Sequence, residues 1–299
     1  MSIYNVSGDT INSAYCLSDS LQYAYNINGS EVFETNPTIN YEDYTVTTLF
    51  NYPEGGMQAF AVYDGKIAQV RETSALHIID IATGTNIRNV SMNTGHGNSC
   101  QFSDEFYDDS DEFPLFYVRN AGVYVYRITG ETSTLIRKYS FSTDIIGTYV
   151  AGFCFNPASN RFYTASYTEG DYTTKTGLLR ICKWNMRNAT NNGDGTYSMD
   201  LLASNDLTWF DNYQAVQGCC YHDGYFFIAC GYTSGAQYIV MVDTSTLTIS
   251  HSLRVSPDRE LEGCAWVDNG GYLLIGQKTN TYDYKKMEFE TTIMEESHE

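Results

Sequence analysis

Gln217-Gly218-Cys219-Cys220-Tyr221-His222-Asp223-Gly224-Tyr225-Phe226 is the stretch on which the reading of the whole chain turns. A polar residue and a small one open an apolar run, Asp-Gly follows, and a second apolar run begins. Asp-Gly between two apolar runs signals a tight hairpin, because both central positions of a type I′ turn need φ > 0. The same pattern recurs at Gln58-Ala59-Phe60 through Asp64-Gly65, at Asn98-Ser99-Cys100-Gln101-Phe102, at Ala151-Gly152-Phe153-Cys154 and at Glu262-Gly263-Cys264-Ala265. A third apolar strand follows four of these hairpins: Leu76–Ile81, Val123–Ile128, Leu179–Trp184 and Ile239–Asp243. Fourth strands follow in turn, as at Ile87–Val90 and Leu247–Ser250. The starts at 58, 97, 151, 217 and 262 lie 39, 54, 66 and 45 residues apart. The shorter intervals suit bare four-stranded units, and the longer ones imply insertions near 103–113 and 168–200. A four-strand unit that repeats is the signature of a β-propeller. The expected fold is therefore all-β: a propeller of five four-stranded blades, with Tyr44–Asn51 completing the last blade. Six blades result if Tyr44–Asn51 opens a blade of its own.

Composition agrees. The 299 residues include 26 Tyr, 15 Phe and many Thr and Ser, types that suit pleated, half-buried surfaces. The 24 Gly and few Pro suit short strands with tight turns. A formal charge of −19 argues against nucleic acid, whose binding is carried by Lys and Arg, and against anionic membranes. Met1-Ser2-Ile3-Tyr4-Asn5 has neither a basic segment nor an apolar run, so no signal peptide is expected, and no stretch reaches the length of a membrane span. Eight cysteines lack any CxxC pair and sit mostly in apolar runs, which reads as buried free thiols.

The first 34 residues form a region apart. Tyr4, Tyr15 and Tyr25 recur after 11 and then 10 residues, each in a short strand-like unit. Residues 1–34 read as a β-repeat arm, 35–43 as a linker, 44–290 as the propeller and 291–299 as a disordered acidic tail.

In a propeller, the polar residues just before each innermost strand converge near the axis. Gln58, His96, Asn98, Gln217 and Glu262 are accordingly the candidate ligand-binding residues. The competing reading has them bonded to ordered water that closes the channel. No HExxH, Gly-x-Ser-x-Gly or P-loop is present, and no catalytic residue or cofactor is assigned. Asp104–Glu112 holds six carboxylates and Asn191–Thr196 resembles a fragment of a calcium loop. Neither has a calcium-loop spacing, so they read as a solvated insertion and a hairpin tip, and no metal is assigned. Tyr163, Tyr167, Tyr172, Tyr213, Tyr225 and Tyr232 fall near expected strand ends and loops, where aromatic faces could stack on sugars.

Two resemblances rest on these residues. Asn12-Ser13-Ala14-Tyr15 and Ala24-Tyr25-Asn26-Ile27-Asn28-Gly29 resemble the Ala-Tyr-Asp-x-x-Gly leader of tail-associated proteins in phages and prophages of gut bacteria, with Cys16 and Asn26 where Asp is common. The body, through Met57–Gly65, His96–Ser103 and Phe113–Val118, resembles propeller proteins of the same genomes. Gln217–Gly224 is also similar to a blade motif of five-bladed bacterial-type glutaminyl cyclases. The first resemblance implies a non-catalytic tail protein in the virion. Residues 1–34 would dock to other tail proteins, and the propeller, as a homo-oligomer, would recognise a bacterial surface glycan or protein. The alternatives are a propeller enzyme at the channel mouth (cyclase, lyase or hydrolase), with Glu262, His96 and nearby tyrosines as acid–base groups, and a purely structural tail component.

Overall fold

The computed structural model describes residues 13–15, 24–26, 31–32, 38–72, 74–168, 177–210, 212–232, 235–255, 259–278 and 281–292. The chain divides into two compact units, Met1–Tyr44 with Phe289–Glu299, and Thr45–Glu288.

In the first unit, β1 (Ser13–Tyr15), β2 (Ala24–Asn26) and β3 (Glu31–Val32) form an antiparallel sheet in that order. Ala14 pairs with Tyr25, and Ala24 with Val32. The two tyrosine repeats in this stretch therefore fall on strands. The repeat around Tyr4 and the tail 293–299 lie outside the described residues. Residues 38–43, expected to be linker, belong instead to the long strand β4 (Thr38–Tyr52). The physical reason is side-chain packing: the buried ring of Tyr41 meets Phe289 edge-on at 5.0 Å, and Tyr44 lies 6.3 Å from the same ring.

In the second unit, antiparallel pairing sorts the described strands into five four-stranded sets. The first is β5 (Met57–Tyr63), β6 (Lys66–Arg71), β7 (Ala75–Asp80) and β8 (Asn86–Ser91). The second is β9 (Cys100–Phe102), β10 (Phe116–Arg119), β11 (Val123–Thr129) and β12 (Thr132–Tyr139). The short helix α1 (Thr143–Ile146) leads into the third, which is β13 (Tyr149–Asn156), β14 (Arg161–Tyr167), β15 (Leu179–Asn191) and β16 (Tyr197–Leu207). The fourth is β17 (Val216–His222), β18 (Tyr225–Cys230), β19 (Gln237–Asp243) and β20 (Thr248–Val255). The last is β21 (Leu261–Val267), β22 (Tyr272–Lys278) and β23 (Tyr282–Thr292), completed by β4. The first strands of the sets neighbour one another in a closed ring, β5–β9–β13–β17–β21–β5, which is a propeller axis.

The hairpins follow the turn chemistry. Asp64 and Gly65 have φ of 45° and 69°, and Asp223 and Gly224 have 43° and 81°. The flanking pairs Tyr63–Lys66 and His222–Tyr225 leave two-residue loops, as type I′ turns require.

The cores lie between successive sets. Ala59, Val70 and Ile78 of the first set pack on Phe102, Phe116 and Val118 of the second. Phe153 and Trp184 of the third meet Tyr117 and Val125 of the second. Leu179 and Ile181 meet Phe226 and Val240 across the third and fourth, and Phe60 meets Tyr284 and Leu274 across the first and last. A strand in the middle of a set is thus buried on both faces and reads as a nearly continuous apolar run, whereas outer β8 and β20 alternate. The seven described cysteines are free and buried in these layers. No helix among the described residues is long and apolar enough to cross a membrane.

The long intervals in the sequence are explained by two features. Residues 103–115 form a loop between β9 and β10, and β15 and β16 extend into a hairpin tipped by Asn192–Thr196. The carboxylates of the first loop are answered by arginines: Arg127 forks onto Asp111 at 2.7–3.1 Å, and Arg88 pairs with Glu112. Asp194 at the hairpin tip accepts from the Thr196 amide and hydroxyl.

Candidate functional site

The five residues singled out from the sequence line one cavity. Gln58, His96, Asn98, Gln217 and Glu262 meet at the entrance of the first strands, around a volume of about 190 Å³. Three residues that the sequence reading passed over join them, Glu72, Glu260 and Lys278, together with Tyr232, one of the tyrosines expected near strand ends.

The backbone explains the convergence. The ladder between first and second strands skips one residue at the entrance of four sets. The register jumps from Met57 to Ala59, from Val150 to Gly152, from Val216 to Gly218 and from Leu261 to Gly263. The skipped residues are Gln58, Ala151, Gln217 and Glu262. A bulge of this kind turns a side chain out of the strand's regular alternation, and Gln58, Gln217 and Glu262 line the axial cavity. The small residue that follows each bulge lets the strands crowd together. A Cβ on Gly218 would stand 2.6 Å from Gly263 Cα. In the second set the strand begins late, and Asn98 reaches the cavity from the loop before it.

Glu72 and Lys278 occupy equivalent positions, just after and at the end of the second strand of their sets. Each donates its backbone N–H to the residue before the first strand, Glu72 to Gly56 at 2.9 Å and Lys278 to Glu260 at 2.7 Å. Gly231 makes the same bond to Ala215 in the fourth set. The signal for these residues was therefore positional, but it appears only once the sets are superposed strand by strand.

The polar side chains form a directed chain. Gln217 Nε2 donates to Glu260 Oε1 at 3.0 Å, which turns Gln217 Oε1 toward Asn98 Nδ2 at 3.4 Å. The remaining acceptor of Asn98, its Oδ1, is buried without a hydrogen-bond partner. Gln58 Nε2 donates to Glu72 Oε1 at 2.7 Å. The Lys278 ammonium lies 3.2 Å from Glu262 and 3.8 Å from Glu260. Counted formally, three carboxyl groups face one ammonium.

Glu262 is 2% exposed. Burial, reinforced by the Glu260 carboxyl beside it, pushes its pKa up to about 8 in spite of Lys278. Conversely the carboxyl of Glu262 holds the Lys278 ammonium up, against partial burial. The His96 imidazole is pushed down by burial and by the Arg119 guanidinium, which donates to the His96 carbonyl at 2.9 Å. His96 is thus neutral near pH 7. The arrangement can hold one positive group and exchange a proton with it at neutral pH.

The tyrosines divide differently from the sequence expectation. Tyr163 and Tyr167 are core residues, 3% and 1% exposed, because β14 is covered on both faces. The Tyr167 hydroxyl accepts the Val216 N–H at 2.9 Å. Tyr213 and Tyr225 are half-buried, Tyr232 is exposed at the cavity, and Tyr172 lies outside the described residues. Among the described residues no group of three or more His, Cys, Asp or Glu is placed to hold a metal ion.

No protein-family model matches this chain, and no curated protein matches it. Among solved structures, the glutaminyl cyclase of Myxococcus xanthus is similar to it, with a TM-score of 0.51 over 82% of this chain and 97% of that one, at 10% sequence identity. At that identity the likeness is one of fold alone, and together with the ring of four-stranded sets it makes this chain a β-propeller.

Proposed function

We propose that the entrance cavity is an acid–base site for a substrate carrying a free amine, and that its reaction is the cyclisation of an N-terminal glutamine. The observation that carries this reading is the Glu262 carboxyl, buried at the cavity 3.2 Å from Lys278 with Glu72 and Glu260 lining the same space, where burial pushes its pKa up to about 8. A carboxyl with a pKa near the working pH suits general acid–base work. Three further features support an amine. Carboxyl groups outnumber the ammonium three to one, Asn98 Oδ1 lacks a donor, and about 190 Å³ admits one small group and no polymer chain. In the reaction, the α-amine nitrogen bonds to the carbonyl carbon of its own side-chain amide, and the bond from that carbon to the amide nitrogen breaks. The proton shed by the amine leaves on ammonia, with Glu262 passing it. No cofactor is needed. The test is incubation of the full chain with a peptide beginning in glutamine, following ammonia release and the loss of its mass from the peptide. Turnover that falls about 10²–10⁴-fold in Glu262→Gln supports the reading; no turnover by the native chain rejects it.

The second reading keeps the propeller as a receptor-binding module of a phage tail, in the virion, with residues 1–34 docked to neighbouring tail proteins. What supports it is the set of three short paired strands, Ser13–Tyr15, Ala24–Asn26 and Glu31–Val32, which fall in the first compact unit. A glycan array with product analysis tests it: saturable binding to a bacterial surface glycan without cleavage supports it.

A further inference from the structure

The strands whose first residues form the entrance cavity form a second, wider opening with their last residues. That opening encloses about 600 Å³. Its lining includes the half-buried aromatic side chains of Tyr63, Tyr221 and Trp266. His222 lies flat on Trp266, with ring centroids 3.6 Å apart and planes within 10°, so each ring covers one face of the other and fixes its orientation. Tyr221 is held rigidly. Its ring stacks on Tyr163 at 6.2 Å and 5°, and its hydroxyl accepts from Asn156 Nδ2 at 2.7 Å and from the Gly224 amide at 3.1 Å.

The charge at this mouth has one sign. Asp104, Asp223 and Asp268 stand exposed among the lining residues, and no Lys or Arg is among them. Burial pushes the His222 imidazole down, against the pull of Asp223 and Asp268, so it adds no positive charge near pH 7. The carboxylates are too dispersed to close on a metal ion: no such cluster exists among the described residues. A diffuse negative field over rigid aromatic faces attracts a large, weakly hydrated cation, through its charge and through the ring quadrupoles together.

We propose that the wide mouth of the channel binds an alkylated ammonium group, seated against Trp266, Tyr221 and Tyr63 and held by the field of Asp104, Asp223 and Asp268. This site is separate from the entrance cavity and does not depend on the reaction assigned there.

Trp266 supplies the readout, because Trp184 and Trp209 are fully buried whereas Trp266 is only partly so. The full chain is titrated with choline and with its neutral carbon isostere 3,3-dimethylbutan-1-ol, following tryptophan fluorescence and, in parallel, heat of binding. Choline is expected to saturate, and the alcohol to bind at least about tenfold more weakly. The double variant Asp223→Asn/Asp268→Asn, altered only at exposed positions, is expected to weaken choline about tenfold, and added salt to do the same. Glu262→Gln is expected to leave choline binding unchanged. Equal binding of the alcohol, absence of choline saturation, or choline binding lost in Glu262→Gln and kept in the aspartate double variant would each overturn the proposal.

Discussion

The Lys278 ammonium lies 3.2 Å from the Glu262 carboxyl, and the carboxyl is the deeper partner, with a side chain 3% exposed against 39% for the lysine. Desolvation therefore acts mainly on Glu262, and the pairing does not bring its pKa back to the ordinary range. The folded state binds this proton more tightly than the unfolded chain does. Its contribution to stability is fully present below about pH 4.5 and is lost as the pH rises to about 8. Urea unfolding between pH 4.5 and 9 should show a decline on the order of a few kcal/mol from this group. Glu262→Gln should flatten that decline and leave the variant more stable than the native chain above pH 8.

Gly218 sits where two first strands crowd the axis. A Cβ there would meet Gly263 Cα at 2.6 Å, and backbone cannot yield as a side-chain tip can. Gly218→Ala should cost about 1–3 kcal/mol by overpacking, read as a lower urea midpoint at unchanged m. Gly65→Ala is the contrast. Open space surrounds that position, but φ is +69°, so its cost should be conformational only, about 1 kcal/mol.

These crowded positions also explain what the sequence disclosed. The motif of polar residue, small residue and apolar run is the chemical trace of a bulge followed by a close strand approach. Gln58, Gln217 and Glu262 were legible because each is the skipped residue of that motif. Ala151 holds the same place in the third set and marked the start of that unit, but it brings no polar group and so was no candidate for the site. Glu72 and Lys278 were not legible, since they close second strands and their equivalence lies in a backbone bond to the residue before the first strand. Tyr163 and Tyr167 misled for a related reason. A hydroxyl suggests a surface, but a strand covered on both sides can bury it when a partner such as the Val216 N–H is at hand. The length of β4 was hidden because its start, Thr38-Ile39-Asn40-Tyr41-Glu42-Asp43, is mostly polar like a linker, and the pairing that makes it a strand comes from β23 far along the chain.

The acidic loop 103–115 is expected to depend on arginine and not on calcium. Asp111, its side chain 4% exposed, takes a forked contact from Arg127, whose guanidinium also lies 4.7 Å from the Tyr107 ring centroid. Arg127→Ala should free the loop and speed cleavage after Glu105 and Glu112 by a protease specific for acidic residues. Calcium should neither protect the native loop further nor rescue the variant. Protection by calcium would show that the carboxylates have a ligand other than arginine.

Asn98 separates function from stability. Its Nδ2 makes only a long contact, 3.4 Å, to Gln217, and its Oδ1 is buried without a partner. A buried acceptor left unsatisfied lowers stability, so replacing it with an apolar side chain should help the fold slightly. Asn98→Leu should keep or raise the melting temperature, with a gain of up to about 1 kcal/mol. The same change removes the acceptor assigned to the substrate amine. A hydrogen bond to a charged group contributes about 1.5–3 kcal/mol, so kcat/KM for a glutamine-initiated peptide should fall roughly tenfold to a hundredfold. If kcat/KM instead holds while the melting temperature rises, Asn98 Oδ1 faces no substrate, and the amine must be held by Glu72 and Glu260 alone.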